Sequence, residues 1–408
     1  MAASMSVSLQ PDGFEKPHRF ELRLSLLFAA LFIPNAIHLS FFPLWLEQRG
    51  LDPIEISTLL TLPVFVRLLT TPVFTHLADR SKERTTSLII ISGLSLLFAA
   101  MLLMPMGYWS LVAIVCVLAA FWSPQVPIAD SIALSGVRRY ALDYSSVRIW
   151  GSVLFLSASV IAGLVIQRTS ADKTVWLLVA GFAIIFLASF MTPRLGRRRQ
   201  PQALFGAGAN VLRSPRVLLI LIATGLIQAS HGFMYNFGSI YWQTLGISSQ
   251  EVGFLWAVPV FSEILLFKFY TRAFGLWKPE SVLALTGAIG IFRWVLYSTA
   301  AYFGFGFYAL AAIQSLHGFT FGATYLAQQT YLAHAIPEEQ AGSAQGLGVF
   351  VQGIIMMLVM FASGPLYAAF GGFGFLAMTA VSGAGIVIAF RFAVSQRKWA
   401  EAENNSAP

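Results

Sequence analysis

Long apolar runs separated by short polar turns repeat along the whole chain, and each run is long enough to cross a lipid bilayer. A spanning helix needs about 20 predominantly apolar residues. Stretches of that kind cover 22–45, 54–77, 86–107, 110–134, 145–166, 174–192, 217–242, 251–271, 281–302, 305–330, 342–366 and 371–393. The separations are mostly short, so consecutive helices run up and down. One longer polar stretch, 193–216, carries Arg197, Arg198 and Arg199 and divides the runs into six and six. The pattern predicts an all-α integral membrane protein with twelve transmembrane helices in two pseudo-symmetric six-helix bundles. The expected parts are an N-terminal tail 1–21, a first bundle 22–192, a linker 193–216, a second bundle 217–393 and a C-terminal tail 394–408.

The two halves echo one another. Residues 50–67 read GLDPIEISTLLTLPVFVR and residues 246–263 read GISSQEVGFLWAVPVFSE, which align without a gap. Gly50 matches Gly246, Glu55 matches Glu251, and Pro63-Val64-Phe65 matches Pro259-Val260-Phe261. The aligned segments end on opposite charges, Arg67 and Glu263, inside apolar runs where a charge is costly and therefore usually functional. An internal duplication of membrane helices is a hallmark of secondary transporters.

Composition agrees with the membrane reading. Hydrophobic residues make up 57% of the chain and charged residues 11%, against roughly 25% charged in soluble domains. A net charge of +8 raises the question of nucleic acid, but the placement of the bases answers it. Most Lys and Arg residues lie on the side of the termini and the linker, with Arg49, Arg168 and Lys173 on the other. Positive residues favour the cytoplasmic side, so a plasma (inner) membrane protein with both termini cytoplasmic is expected. The first 20 residues lack an apolar core, which speaks against a cleavable signal peptide. The single cysteine, Cys116, permits no internal disulfide. One chain holds both halves, so a monomer can form a pathway.

Residues equidistant from a hairpin turn share a depth in the membrane. Asp130 and Arg148 are centred on Arg139, and Glu263 and Arg293 on Lys278. Arg293 and His317 are centred on Phe305, and His231 and Glu263 on Ile247. His231, Glu263, Arg293 and His317 are thus expected in one polar layer of the second half. Glu263 follows Glu251 by 12 residues, or about 18 Å of helical rise, which places it near mid-membrane. An ionisable side chain there costs about 2.5–3.5 kcal/mol on insertion scales, so either a static ion pair or a function must account for it. Asn236, with other amides inside the apolar runs, is a candidate cavity-lining residue or interhelical tie.

The stretch Leu77-Ala78-Asp79-Arg80-Ser81-Lys82-Glu83-Arg84 resembles the loop signature of the major facilitator superfamily. It is degraded, with Thr75 at the usual first glycine and Lys82-Glu83 replacing glycine and a basic residue. The segments SPQVPIADSIA, DYSSVRIWGSVLF, QASHGFMYNFGSIYWQTLG and VGFLWAVPVFSEILLF resemble the 3-phenylpropionic acid transporter family. The related lactose permeases are similar at Asp130 and Arg148, in spacing and in the Arg-x-x-Gly at Arg148–Gly151. They are also similar at Glu263, Arg293 and His317. Substrate binding is expected at Arg67, Asp130, Arg148, Asn236 and Glu263, of which the resemblance implies Asp130, Arg148 and Glu263. The resemblance implies proton coupling at Glu263, Arg293 and His317, to which the shared depth adds His231, and a gating loop at Asp79 and Arg80. Thr320 stands where the permeases place their proton-carrying carboxylate, and Gln314 where they place a lysine. Any coupled proton must therefore use another group, Glu263 first, with His317 or His231 assisting.

The intramembrane charges favour an anion. Arg67, Arg148 and Arg293 face Asp130 and Glu263, and guanidinium binds carboxylate bidentately. Proton-coupled import of a small aromatic carboxylate such as 3-phenylpropionate is the leading expectation, with a small organic anion, protons and the lipid bilayer as partners. A proton symporter of a neutral sugar or nucleoside is the alternative. A drug/proton exporter ranks lower, because its span-five proline-glycine signature is missing from SVRIWGSVLFLSASVIAG. No zinc-type His/Cys cluster, phosphate loop or nucleophile triad is legible, so neither an enzyme, a cofactor nor a metal is expected.

Overall fold

The computed structural model describes residues 16–81, 83–196 and 214–406. Residues 1–15 of the expected N-terminal tail, Lys82 of the loop signature and Arg197–Arg199 of the expected linker lie outside the described residues. The described chain is helical almost throughout, as it must be in hydrocarbon, where backbone polar groups have no water to bond and a helix satisfies them internally.

The first half comprises α1 (Phe20–Gln48), α2 (Pro53–Arg80), α3 (Arg84–Met101), α4 (Tyr108–Trp122), α5 (Gln125–Tyr140), α6 (Tyr144–Arg168) and α7 (Lys173–Met191). The second half comprises α8 (Pro215–Ala229), α9 (Gly232–Thr244), α10 (Ser249–Phe274), α11 (Pro279–Thr299) and α12 (Phe307–Ser315). A π-helical turn, Gly318–Ala323, then leads into α13 (Thr324–Ala335), α14 (Glu338–Phe370) and α15 (Phe375–Ser406). Ten segments among the described residues are long and apolar enough to cross a membrane. One of these, Gln340–Arg397, is α14 and α15 together, parted at the 3-10 turn Gly371–Gly374. The interrupted passage α12–α13 supplies another crossing, which accounts for the twelve apolar runs of the sequence.

Three crossings are broken. α4 gives way to α5 at Ser123-Pro124, α8 to α9 at Ser230-His231, and α12 to α13 through the π turn. Pro124 lacks the N–H that would continue the ladder. Ser230 Oγ donates to the Ile227 carbonyl at 2.7 Å, a side-chain bond that competes with the backbone at the second break. At its end α15 runs through Ser406, so the expected tail 394–408 begins as helix. Its Ala-, Glu- and Lys-containing sequence favours helix without being apolar.

The duplicated segments fold alike. Gly50 and Gly246 adopt left-handed φ values of 80° and 81°, a conformation glycine enters without steric cost. Each turn has the same pair of bonds, Gly50 N–H to Glu47 O with Leu51 N–H to Leu46 O, and Gly246 N–H to Gln243 O with Ile247 N–H to Trp242 O. Each following helix is capped by an acceptor answered three residues later by glutamate. Asp52 Oδ1 accepts from Glu55 N–H while Glu55 Oε2 accepts from Asp52 N–H. Ser248 and Glu251 form the equivalent capping box. The conserved spacing of the repeat is thus a helix stop and a helix start.

The described chain forms two compact units. One consists of Met1–Asn35, Leu69–Phe155 and Trp176–Arg199, the other of Ala36–Leu68, Leu156–Val175 and Gln200–Pro408. These units cut across the sequence halves, because the parts of α1, α2 and α6 farthest from the termini pack with the second half. Within that second unit α6 and α10 interlock through glycines. A Cβ on Gly163 would come within 2.6 Å of the Ser249 carbonyl oxygen, and one on Gly253 would overlap the Ser159 carbonyl. Gln167 Oε1 accepts from Ser249 N–H at 2.9 Å, and Ser239 Oγ donates to the Ser40 carbonyl at 2.6 Å. Small residues allow this close approach in the absence of a hydrophobic drive between membrane helices.

Candidate functional site

Two polar clusters stand out inside the membrane spans, one in each unit. In the first, Arg148 Nε on α6 lies 3.8 Å from Asp130 Oδ1 on α5, each side chain 30% exposed. That separation is an ion pair beyond hydrogen-bond length. Tyr144 hydroxyl donates to Asp130 Oδ1 at 2.9 Å. Arg148 Cζ sits 4.4 Å from the Phe32 ring centroid and 5.4 Å from that of Phe28. A Cβ on Gly151 would come within 2.8 Å of Phe32 and 3.0 Å of Arg148 Nη1. The Arg-x-x-Gly spacing therefore leaves space, one turn on, for the guanidinium and the ring it covers.

The local fold delivers these groups. Asp143 turns the chain into α6, accepting from Ser145 N–H at 2.9 Å and Ser145 Oγ at 2.6 Å. The Ser145 hydroxyl is the chief reason its carboxyl is held below the ordinary range. Ala141, with φ of 51°, closes α5. The turn is centred past Arg139, which belongs to the last helical turn of α5. Arg148 and Asp130 are consequently offset in depth, and the length of the arginine side chain closes the gap.

In the second unit the expected layer of four is assembled. His317 Nε2 lies 2.9 Å from Glu263 Oε1. Arg293 Nη1 lies 3.3 Å from His317 Nδ1 and donates to Thr320 Oγ1 at 3.2 Å. Arg293 Nη2 donates to Gln314 Oε1, whose Nε2 donates to the Leu255 carbonyl at 3.1 Å. His231 places Nε2 2.9 Å from Thr320 Oγ1 and Nδ1 2.9 Å from the Gln228 carbonyl. The His231 and His317 rings meet edge to face at 4.8 Å. Arg293 is 1% exposed and also stacks over Trp294 at 4.7 Å. A charge so deeply buried is tolerable only when its donors are satisfied and an opposite charge is near. Here neutral acceptors hold its two Nη groups, its buried Nε has no hydrogen-bond partner, and Glu263 lies one side chain away.

His231 follows Ser230 at the break between α8 and α9, and Thr320 lies in the π turn directly after His317. Both interruptions bring side chains to the cluster that regular helices would aim elsewhere, a frequent property of π turns at functional sites.

The remaining candidates are distributed differently. Arg67 lies mid-way along α2 with an exposed side chain. Asn236 is buried, and its Nδ2 donates to the Met360 carbonyl at 3.0 Å and Ser363 Oγ at 2.9 Å. It braces α9 against α14. Asp79 Oδ1 accepts from Arg84 Nε at 2.7 Å, while Arg80 ends α2 with an exposed side chain. Glu83, replacing the usual basic residue, accepts from Gly196 N–H at 2.9 Å.

Tyr144, Phe28 and Phe32 were not legible as site residues, although a signal existed. Tyr144 precedes Arg148 by four residues and Phe28 precedes Phe32 by four, so each pair shares a helix face.

Comparison with known proteins gives the same architecture. The chain is 27% identical to the probable 3-phenylpropionic acid transporter of Escherichia coli K12 over 374 residues, covering 88% of this chain and 94% of that one. It is 25% identical to the maltose permease of Geobacillus stearothermophilus over 290 residues, covering 68% and 69% of the two chains. The crystal structure of the nucleoside transporter NupG (D323A mutant) superposes with a TM-score of 0.79 at 17% identity, over 92% of this chain and 99% of that chain. These likenesses are to transporters rather than enzymes, and the fold is that of the major facilitator superfamily. The MFS_1 like family model matches residues 22–378, nearly the whole chain, and this multi-pass membrane transporter belongs to that family.

Proposed function

We propose that the chain imports a small aromatic carboxylate, of the 3-phenylpropionate type, together with protons by alternating access. The observation that carries this reading is Arg148 held over Phe32 and Phe28. A guanidinium beside two aromatic faces offers what an aryl-propanoate needs, a fork of donors for the carboxylate and apolar surface for the ring. Asp130 balances the charge at 3.8 Å, and its bond from Tyr144 reduces its claim on the arginine fork. In the other unit Glu263, paired with His317 and close to Arg293, is the proton carrier. The 27% identical relative, itself a probable 3-phenylpropionic acid transporter, supports this substrate class.

The chain works as a monomer in the bacterial inner membrane with both termini cytoplasmic, and the halves 22–192 and 217–393 are its two moving bundles. A second reading, symport of a neutral sugar or nucleoside, is favoured by the maltose permease and NupG likenesses. Uptake of radiolabelled 3-phenylpropionate, maltose and uridine into vesicles with an imposed pH gradient separates the two. Accumulation of the carboxylate alone is expected. Accumulation of maltose or uridine without the carboxylate would overturn the primary reading.

A further inference from the structure

The bonds around Arg293 have a direction. Guanidinium only donates, so His317 Nδ1, 3.3 Å from Arg293 Nη1, is an acceptor and carries no proton. The ring proton is then on Nε2, directed at Glu263 Oε1, which lies 2.9 Å away. A second string starts from the same arginine atom. The Gln228 carbonyl only accepts, so His231 Nδ1 carries the ring proton and neutral Nε2 accepts from Thr320. Thr320 Oγ1 in turn accepts from Arg293. The Gln314 amide is likewise oriented without ambiguity, since its nitrogen faces the Leu255 carbonyl and its oxygen faces Arg293.

We propose that Arg293 is a tautomer lock on His317, and that Gln314 is the positioning residue that sets the lock. In this conformation His317 is a neutral Nε2–H donor and cannot accept a second proton without expelling an Arg293 N–H. Glu263, which accepts from His317, is left as the member of the pair that takes up the coupled proton. His231 is held less strictly, because Thr320 can turn its hydroxyl toward the His317 or Leu316 carbonyl, at 3.4 and 3.5 Å. Protonating His231 would then place a cation next to Arg293. The other titratable groups facing the cluster are Tyr235 on α9 and Tyr297 on α11, which interact with Glu263 and Arg293 respectively. This assignment of the proton to Glu263 rests on the proposed coupling, whereas the tautomer itself does not.

The test uses the full-length protein in lipid nanodiscs with ¹⁵N-labelled histidine, the His317 signals being assigned by their loss in His317→Asn. His317 should stay in the Nε2–H form from pH 5 to 8. In Gln314→Leu it should acquire a pH-dependent ¹⁵N shift, and in sealed vesicles holding the same variant gradient-driven substrate accumulation should be lost while counterflow persists. Gln314→Glu, which keeps an acceptor for Arg293, should restore the fixed tautomer even if accumulation stays impaired. If Gln314→Leu proves too unstable to purify, the parent and Gln314→Glu spectra decide the matter. An Nδ1–H or doubly protonated His317 in the parent at neutral pH would overturn the lock. A parent protein with the expected tautomer but no gradient-driven accumulation would instead overturn the assignment of a coupled proton to Glu263.

Discussion

Arg148 on α6 reaches Asp130 on α5 at 3.8 Å while its guanidinium lies 4.4 Å from the Phe32 ring. This gives one side chain both an electrostatic and an aromatic neighbour. Arg148→Ala leaves the Asp130 carboxylate, 30% exposed, without its counter-ion. Uptake of 3-phenylpropionate should fall by more than about tenfold, the loss of one charge-assisted contact of about 1.5–3 kcal/mol. Arg148→Lys, which keeps charge but not the planar fork, should recover only part of it. Initial-rate uptake at several substrate concentrations, normalised to protein in the membrane, checks both.

Phe32→Ala separates ring recognition from charge. It should raise KM for aryl carboxylates more than for acetate-like competitors, because it removes the apolar face and leaves Arg148 in place. Competition against labelled 3-phenylpropionate by a series of short and aryl carboxylates measures this. Equal loss for both classes would remove Phe32 from substrate recognition.

At the α6–α10 crossing a Cβ on Gly253 would overlap the Ser159 carbonyl. Gly253→Leu should disfavour the interlocked arrangement by about 1–3 kcal/mol of overpacking. Thiol accessibility of residues lining the crossing reports that shift.

The twin helix caps predict matched stability effects. Asp52→Ala and Ser248→Ala should each cost about 1 kcal/mol, and the double variant should cost their sum, since each acts on its own helix. Thermal unfolding in detergent tests this, and marked non-additivity would argue against two independent caps.

Much of this was readable in the chain because membrane constraints are simple. Apolar runs had to be helices, and the repeat at Gly50 and Gly246 had to conserve turn geometry. Hairpin arithmetic placed His231, Glu263, Arg293 and His317 together because the turn between α9 and α10, at 244–249, is centred close to Ile247. It was less accurate for Asp130 and Arg148, where the real turn lies beyond Arg139. Asn236 illustrates what depth alone leaves open. It lies in an apolar run where an amide can line a cavity or tie helices, and helix rotation turns it into α14. The π turn at Thr320 was illegible, because extra residues in a helical turn have no hydropathy signal. Tyr144 and the two phenylalanines were hidden among the 35 Phe and 12 Tyr residues of the chain.

In the proposed cycle substrate carries protons through Glu263, and proton movement can be read directly. Vesicles containing a trapped pH-sensitive dye and the purified protein, with no initial pH gradient, are given 3-phenylpropionate on the outside. Coupling through Glu263 predicts substrate-dependent acidification of the lumen by the parent protein. It predicts none by Glu263→Gln, which should still exchange labelled for unlabelled substrate. Equal acidification by both proteins, or substrate uptake by the parent without any acidification beyond protein-free vesicles, would contradict it.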